Sequence, residues 1–316
     1  MSDQVINHIT QIDPTQSDII RALLYFDIFD YPLKREEIKK FMASSPNGEF
    51  DRQFNDLINS GYINQVGRDF YGIAPEQSNA SRRIKGNLLA EKKMKSARRM
   101  SRLISYFPFV RCIMLSGSIS KGFMEANSDV DFFIITAPKK LWIARTLLIL
   151  FKRLFLLNSR KLFCVNYFLD SESMEIEEKN IFTAIECATL IPTYNSEYYT
   201  KFWNENSWVS NYLPNTTIRD TTGVISNKAF PFKWLIEKLL SNRLGDFLDQ
   251  YFMNITLKHW NSRYSKELDE GDFKVAFKTK RNVSKSHPQF FQKKVLNTLA
   301  SKQKEYEISK SVNLSN

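Results

Sequence analysis

The stretch that decides the fold is Cys112 to Thr136, CIMLSGSISKGFMEANSDVDFFIIT. An apolar run, Ile113 to Leu115, breaks at Ser116-Gly117-Ser118, and Asp129-Val130-Asp131 then enters a second apolar run, Phe132 to Ile135. A Gly-Ser turn at the end of a strand offers backbone N–H groups and a hydroxyl to a phosphate. Asp129 and Asp131 lie two apart on the second presumed strand, so both carboxylates project from one face while Val130 points into the core. Such a pair is unfavourable unless a cation sits between the two. Hard oxygen ligands suit Mg²⁺, which accepts one or two carboxylates and completes its shell with water and substrate phosphate. Gly117, Ser118 and Lys121 therefore read as the phosphate side of a nucleotide site, and Asp129 and Asp131 as its metal side.

An apolar strand, Gly-Ser, the interval Ile119 to Ser128 and then Asp-x-Asp entering a second apolar strand resembles the nucleotidyltransferase fold of DNA polymerase beta and its minimal relatives. Ser128 before the first acid is also typical of that family. The resemblance covers about 60 to 80 of the 316 residues, so most of the chain is read without it. It implies Mg²⁺-dependent transfer of a nucleoside monophosphate from an NTP to an acceptor, with release of pyrophosphate at a two-metal site. It also implies a third carboxylate on a later strand. Alternation along Leu162 to Asp170 places Leu162, Cys164, Asn166, Phe168 and Asp170 on one face. Asp170 is accordingly the third catalytic candidate beside Asp129 and Asp131. Asn166 takes the place if the family position is mid-strand, and Glu175 and Glu186 are the remaining acids.

Working outward, Asp18 to Phe29, Lys34 to Met42 and Asp51 to Asn59 have apolar residues at helical spacing, with Ser17 available as a first cap. Tyr62 to Val66 and Phe70 to Ile73, around Gly67-Arg68-Asp69, read as a hairpin. Three helices and a hairpin form a winged-helix-like unit over residues 1–78. Its third helix carries Asp51 and Asp56 against Arg52, a poor composition for reading bases. Ala80 to Ser105, with five Arg and four Lys against one Glu, is expected as a long basic helix, and residues 79–108 as the linker that joins the domains. Residues 109–200 then alternate strands and helices: Val110 to Leu115, a short helix Ser120 to Phe123, Val130 to Ile135, a helix Leu141 to Leu157, Leu162 to Leu169, and a helix Asn180 to Leu190 ended by Pro192. That pattern places the chain in the α+β class, a mixed sheet with packed helices. Residues 201–316 read as a C-terminal helical region. Trp234 to Trp260 is a long amphipathic run, Lys274 to Lys285 is basic, Gln289 to Leu299 is a last helix, and Lys302 to Asn316 frays.

The net charge of +11, from 45 basic and 34 acidic residues, favours phosphates or nucleic acid as partners through basic surfaces. Three scattered cysteines exclude a disulfide framework or zinc cluster and fit buried thiols in a reducing cytoplasm. The N-terminus lacks the basic and apolar segments of a signal peptide. Leu141 to Leu157, the most apolar segment, is broken by Arg145, Lys152 and Arg153 and reads as a core helix, so no membrane insertion is expected. His287 lies in a basic stretch that would touch substrate or solvent, and His8 and His259 belong to no constellation. The alternative to an enzyme is an NTP-sensing or DNA-binding regulator with a catalytically degenerate site.

Overall fold

The computed structural model of the protein describes residues 10–157, 163–226, 230–264, 277–285 and 291–314. After a two-residue strand, β1 (Thr10–Gln11), Asp13 caps helix α1 (Pro14–Asp27). Its carboxylate accepts from Thr15 N at 2.8 Å, while Gln16 Oε1 accepts from Asp13 N. Proline at the first helical position gives up no hydrogen bond. The helix thus starts at Pro14, not at Asp18, because the Asp-x-x-Gln box outcompetes Ser17, whose hydroxyl instead donates to Leu314 O at 3.0 Å.

Helices α2 (Arg35–Phe41) and α3 (Phe50–Asn59) follow, then the hairpin of β2 (Asn64–Gln65) and β3 (Tyr71–Gly72). A bridge from Leu33 to Tyr71 fastens the α1–α2 link to this hairpin. The charges on α3 are occupied locally. Arg35 pairs with Asp51 at 3.1 Å, and Arg52 with Glu49 at 2.6 Å and Asp56 at 3.5 Å.

The long helix α4 (Gln77–Ser105) leads into β4 (Val110–Ser116), α5 (Gly117–Ser120), β5 (Asp131–Thr136), α6 (Leu141–Phe155), β6 (Cys164–Asp170), α7 (Ile181–Thr189), β7 (Ile191–Tyr194) and α8 (Ser196–Glu205). Helix α5 begins on the Gly-Ser turn itself, ahead of the expected Ser120. Pro192 does end a helix, but it also sits inside β7, the edge strand of the sheet, where a residue without an N–H is tolerated.

From residue 201 onward the chain is not wholly helical. Helices α9 (Pro231–Leu240) and α10 (Arg243–Tyr264) are separate, because Asn242 Oδ1 accepts from Gly245 N at 3.1 Å and starts a new helix. Strands β8 (Thr279–Lys280) and β9 (Val283–Lys285) then complete a six-stranded mixed sheet of order β7-β4-β5-β6-β9-β8. The β5–β6 pair is parallel and joined across α6, and the other pairs are antiparallel. The last helix, α11 (Phe291–Lys310), runs through the segment expected to fray and ends in β10 (Val312–Asn313), which pairs in parallel with β1. Tyr306 OH donates to Tyr62 O at 2.7 Å, and Leu314 is fully buried.

Each face of the sheet has its own core. Ile113, Leu115, Phe132, Ile134, Val165 and Phe168 pack with α4 and α6. Cys112, Met114, Phe133, Ile135 and Leu169 share the other core with α7, α8 and the N-terminal helices. The architecture is therefore α+β with a mixed sheet, and the N-terminal helices are continuous with one side of it.

Asp249 of α10 secures the start of α6 from outside. Its buried Oδ1 accepts from Trp142 N at 2.8 Å and Ile143 N at 2.9 Å, in place of a cap from Lys140. Asp249→Ala strands two buried donors and is expected to cost about 2 kcal/mol. Urea unfolding should show a lower midpoint at an unchanged m-value.

Candidate active site

Strand pairing alone brings the turn and the acids together. In the β4–β5 ladder Ser116 is directly opposite Asp131, which sets the Gly117 turn against the first residue of β5. Gly117 has φ +67°, a left-handed conformation, and a Cβ built there would lie 2.5 Å from Asp131 Oδ2. The carboxylate thus packs directly against the Gly117 backbone. Asp129 lies just before β5, two residues away across the buried Val130.

Burial pushes the Asp131 pKa up to about 6; Cys164 opposes the shift by hydrogen bonding, Asp129 and Glu186 reinforce it by repulsion, and Lys121 lowers it. The site therefore holds more negative charge than its lysine offsets. Lys121 Nζ donates to Glu186 Oε1 at 2.7 Å and to Gly117 O at 3.3 Å, so it ties α7 to the turn. Of the acids left open by the sequence, Glu186 joins the site, while Glu175 pairs with Lys179 at 2.6 Å on the surface.

Asp170 does not join it. In the parallel β5–β6 pair Cys164 is opposite Asp131 and Asp170 is opposite Thr136, five residues further along β5. At ~3.3 Å per residue that is roughly 17 Å away, at the other end of the sheet. There Asp170 accepts from Lys139 N at 2.7 Å and Glu172 N at 2.9 Å, a turn-holding role, with burial raising its pKa. The β6 residue that does reach Asp131 is Asn166. The ladder pairs Phe132 with Val165 and Phe133 with Tyr167, so Asn166 is the extra residue of a bulge, and its Nδ2 lies 3.4 Å from Asp131 Oδ1. The same bulge breaks the expected alternation: Phe168 joins Val165 on the α6 side, away from Asn166.

A cavity of about 340 Å³ opens beside these residues, with Ser116, Gly117, Ser118, Asp131, Asn166 and Glu186 at one end. Tyr167, Phe182, Phe291 and the buried Lys285, whose Nζ donates to Gln292 Oε1 at 3.1 Å, wall the remainder. No motif in the sequence marks this wall. Phe182, Glu186, Cys187 and Leu190 do recur at helical spacing, a signal for the cavity face of α7.

The donor set fits one Mg²⁺. Asp129 and Asp131 would supply two carboxylates, and the repulsion that Asp129 and Glu186 exert on Asp131 is what a divalent cation would relieve. Among the described residues no group of three or more His, Cys, Asp or Glu could hold a metal ion. Cys112, Cys164 and Cys187 are free and buried. His287 and His8 lie outside the described residues, and His259 is exposed on α10. Among the described residues no helix is long and apolar enough to cross a membrane. No family model, curated protein or solved structure matches the chain.

Proposed function

We propose that this chain is a nucleotidyltransferase-type protein that binds a nucleoside triphosphate with Mg²⁺ on the Ser116–Lys121 turn and passes its nucleoside monophosphate to an acceptor. The observation that carries this reading is the Gly117 backbone packed against the Asp131 carboxylate, with Ser116, Gly117, Ser118 and Asp131 lining one cavity. Asp129 and Asp131 would hold the cation, which supplies charge neutralisation at the transferring phosphate. The turn's N–H groups and the Ser118 hydroxyl orient the phosphates. Lys121 shifts between Glu186 and phosphate. In the transfer an acceptor hydroxyl oxygen bonds to the α-phosphorus, the bond to pyrophosphate breaks, and the hydroxyl proton leaves to solvent or a site carboxylate. The adjoining aromatic cavity suits a small acceptor.

On this reading the sheet is a nucleotidyltransferase sheet and α1–α3 with their hairpin are a winged-helix-like docking unit. The ion pairs along α3 speak against base reading. The three free thiols support a cytoplasmic setting.

One observation favours a second reading. Asn166, a neutral ligand, stands where turnover calls for a carboxylate, and this suits a nucleotide sensor. Calorimetry with ATP and GTP, with and without Mg²⁺, should show binding that Asp129→Ala with Asp131→Ala abolishes. Unchanged affinity in that double variant sinks the site. Binding without pyrophosphate release across varied acceptors would select the sensor.

A further inference from the structure

We propose that a second cavity, formed where α1, α2 and α4 meet residues Ile119–Gly122, binds a small phosphate monoester with an apolar body, without Mg²⁺ and without the two aspartates. This goes beyond the nucleotide reading and does not depend on it. The cavity has a volume of about 450 Å³ and shares no lining residue with the acidic one.

Five charged side chains face it: Glu37, Lys40, Glu91, Lys121 and Arg219. Three of them have their charge accounted for. Glu37 accepts from Arg83 Nη2 at 2.7 Å and from Lys34 N at 2.9 Å. Lys121 is paired with Glu186 at 2.7 Å. Glu91 is exposed at the rim.

Lys40 and Arg219 remain as two cations sharing one wall. Among the described residues neither makes an ion pair with a carboxylate. Among the described residues the Lys40 ammonium has the Phe41 ring, 5.6 Å to its centroid, and an attraction from Glu37 that forms no ion pair. Arg219 Nη2 donates to Ser120 O at 2.9 Å, but its Nε is buried with no partner. Burial, followed by the repulsion of Arg219, lowers the Lys40 pKa, and Glu37 offsets part of that shift. Two like charges held near one another are unfavourable, and a dianion between them relieves the repulsion. Arginine and lysine together supply the donors that a phosphate's three terminal oxygens accept.

Phe26, Phe41, Met94 and Ile119 form an apolar part of the wall, beside the polar Tyr31, Asn87 and Thr189, and the volume far exceeds a phosphate ion. The phosphate therefore carries a hydrophobic group. Ligand at Arg219 would also touch the turn indirectly, because Arg219 and Tyr31 hold its far end, the latter donating to Lys121 O at 2.5 Å.

Calorimetry of the full chain in Mg²⁺-free buffer, with phenyl phosphate, inorganic phosphate and benzoate as probes, tests this. Phenyl phosphate should bind at least about tenfold more tightly than either of the others. Lys40→Met and Arg219→Met should each weaken it about tenfold or more, and Lys40→Arg should retain it. Among the described residues the Lys40 side chain makes no hydrogen bond, so Lys40→Met is expected to fold, and circular dichroism checks this. Asp129→Asn with Asp131→Asn should leave phenyl phosphate affinity unchanged. The proposal is overturned if wild type does not bind phenyl phosphate, if folded Lys40→Met binds like wild type, or if the double aspartate variant loses binding.

Discussion

Gly117→Ala is expected to destabilise the protein by about 3 kcal/mol and to remove Mg²⁺-dependent nucleotide binding. Two costs add. At φ +67° any L side chain is strained by about 1 to 2 kcal/mol. The new methyl would also meet Asp131 Oδ2 at 2.5 Å, well inside contact distance. The backbone cannot give way, because Ser116 and Asp131 are paired in the central ladder. The carboxylate must rotate instead, losing both its packing and its aim at the turn. Gly122→Ala is the control, since Gly122 has nearly the same φ, +71°, with nothing within 4 Å of a built Cβ. It should lose only about 1 kcal/mol and keep nucleotide affinity. Equal losses of stability and binding in the two variants would show that strain alone acts, and would remove the reason for linking the glycine to Asp131.

The pairing that sets the Gly117 turn against Asp131 is legible in the sequence, because apolar strand, turn, acids and apolar strand are contiguous and their pairing is local. What failed to read was set by distant partners or by a broken period. Alternation along the third strand points to Asp170 only if the ladder has no bulge, and the register shifts between Phe132 and Phe133. Asn166, a lone polar residue in LFCVNYFL, was the one visible sign of that bulge. Strand β7 hid behind Pro192, which forbids a central strand but not an edge. The hairpin of β8 and β9 looked like a basic stretch because Lys280 pairs with Glu177 at 2.8 Å and Lys278 with Glu178 at 3.0 Å, acids about a hundred residues away. The C-terminal segment lacked a long apolar run, yet Val312 and Leu314 are buried, held by β1 from the opposite end of the chain.

Asp131→Asn should stabilise the fold at neutral pH while weakening Mg²⁺-nucleotide binding by about a hundredfold or more. The sign follows from the raised pKa. Folded Asp131 titrates at about 6 against 3.8 for the free side chain, chiefly because burial disfavours its charge. Between those values the folded state holds a proton that the unfolded state has released, so stability falls as pH rises. The penalty is absent below about pH 4 and complete above about pH 6. A shift of this size corresponds to at most about 3 kcal/mol, and solvent reaching the half-buried carboxylate reduces it to about 1 to 2 kcal/mol. Asparagine keeps the shape and removes the charge. The variant's melting temperature should therefore exceed wild type's at pH 7, with the gap closing as pH is lowered to 4. Mg²⁺ with nucleotide should reverse the order at pH 7, because only the carboxylate gains from the cation, and by linkage bound ligand adds its stabilisation to wild type alone. A gap that stays constant from pH 4 to pH 7 would mean that the Asp131 charge is not strained, and the case for a cation at this site would then lose its electrostatic support.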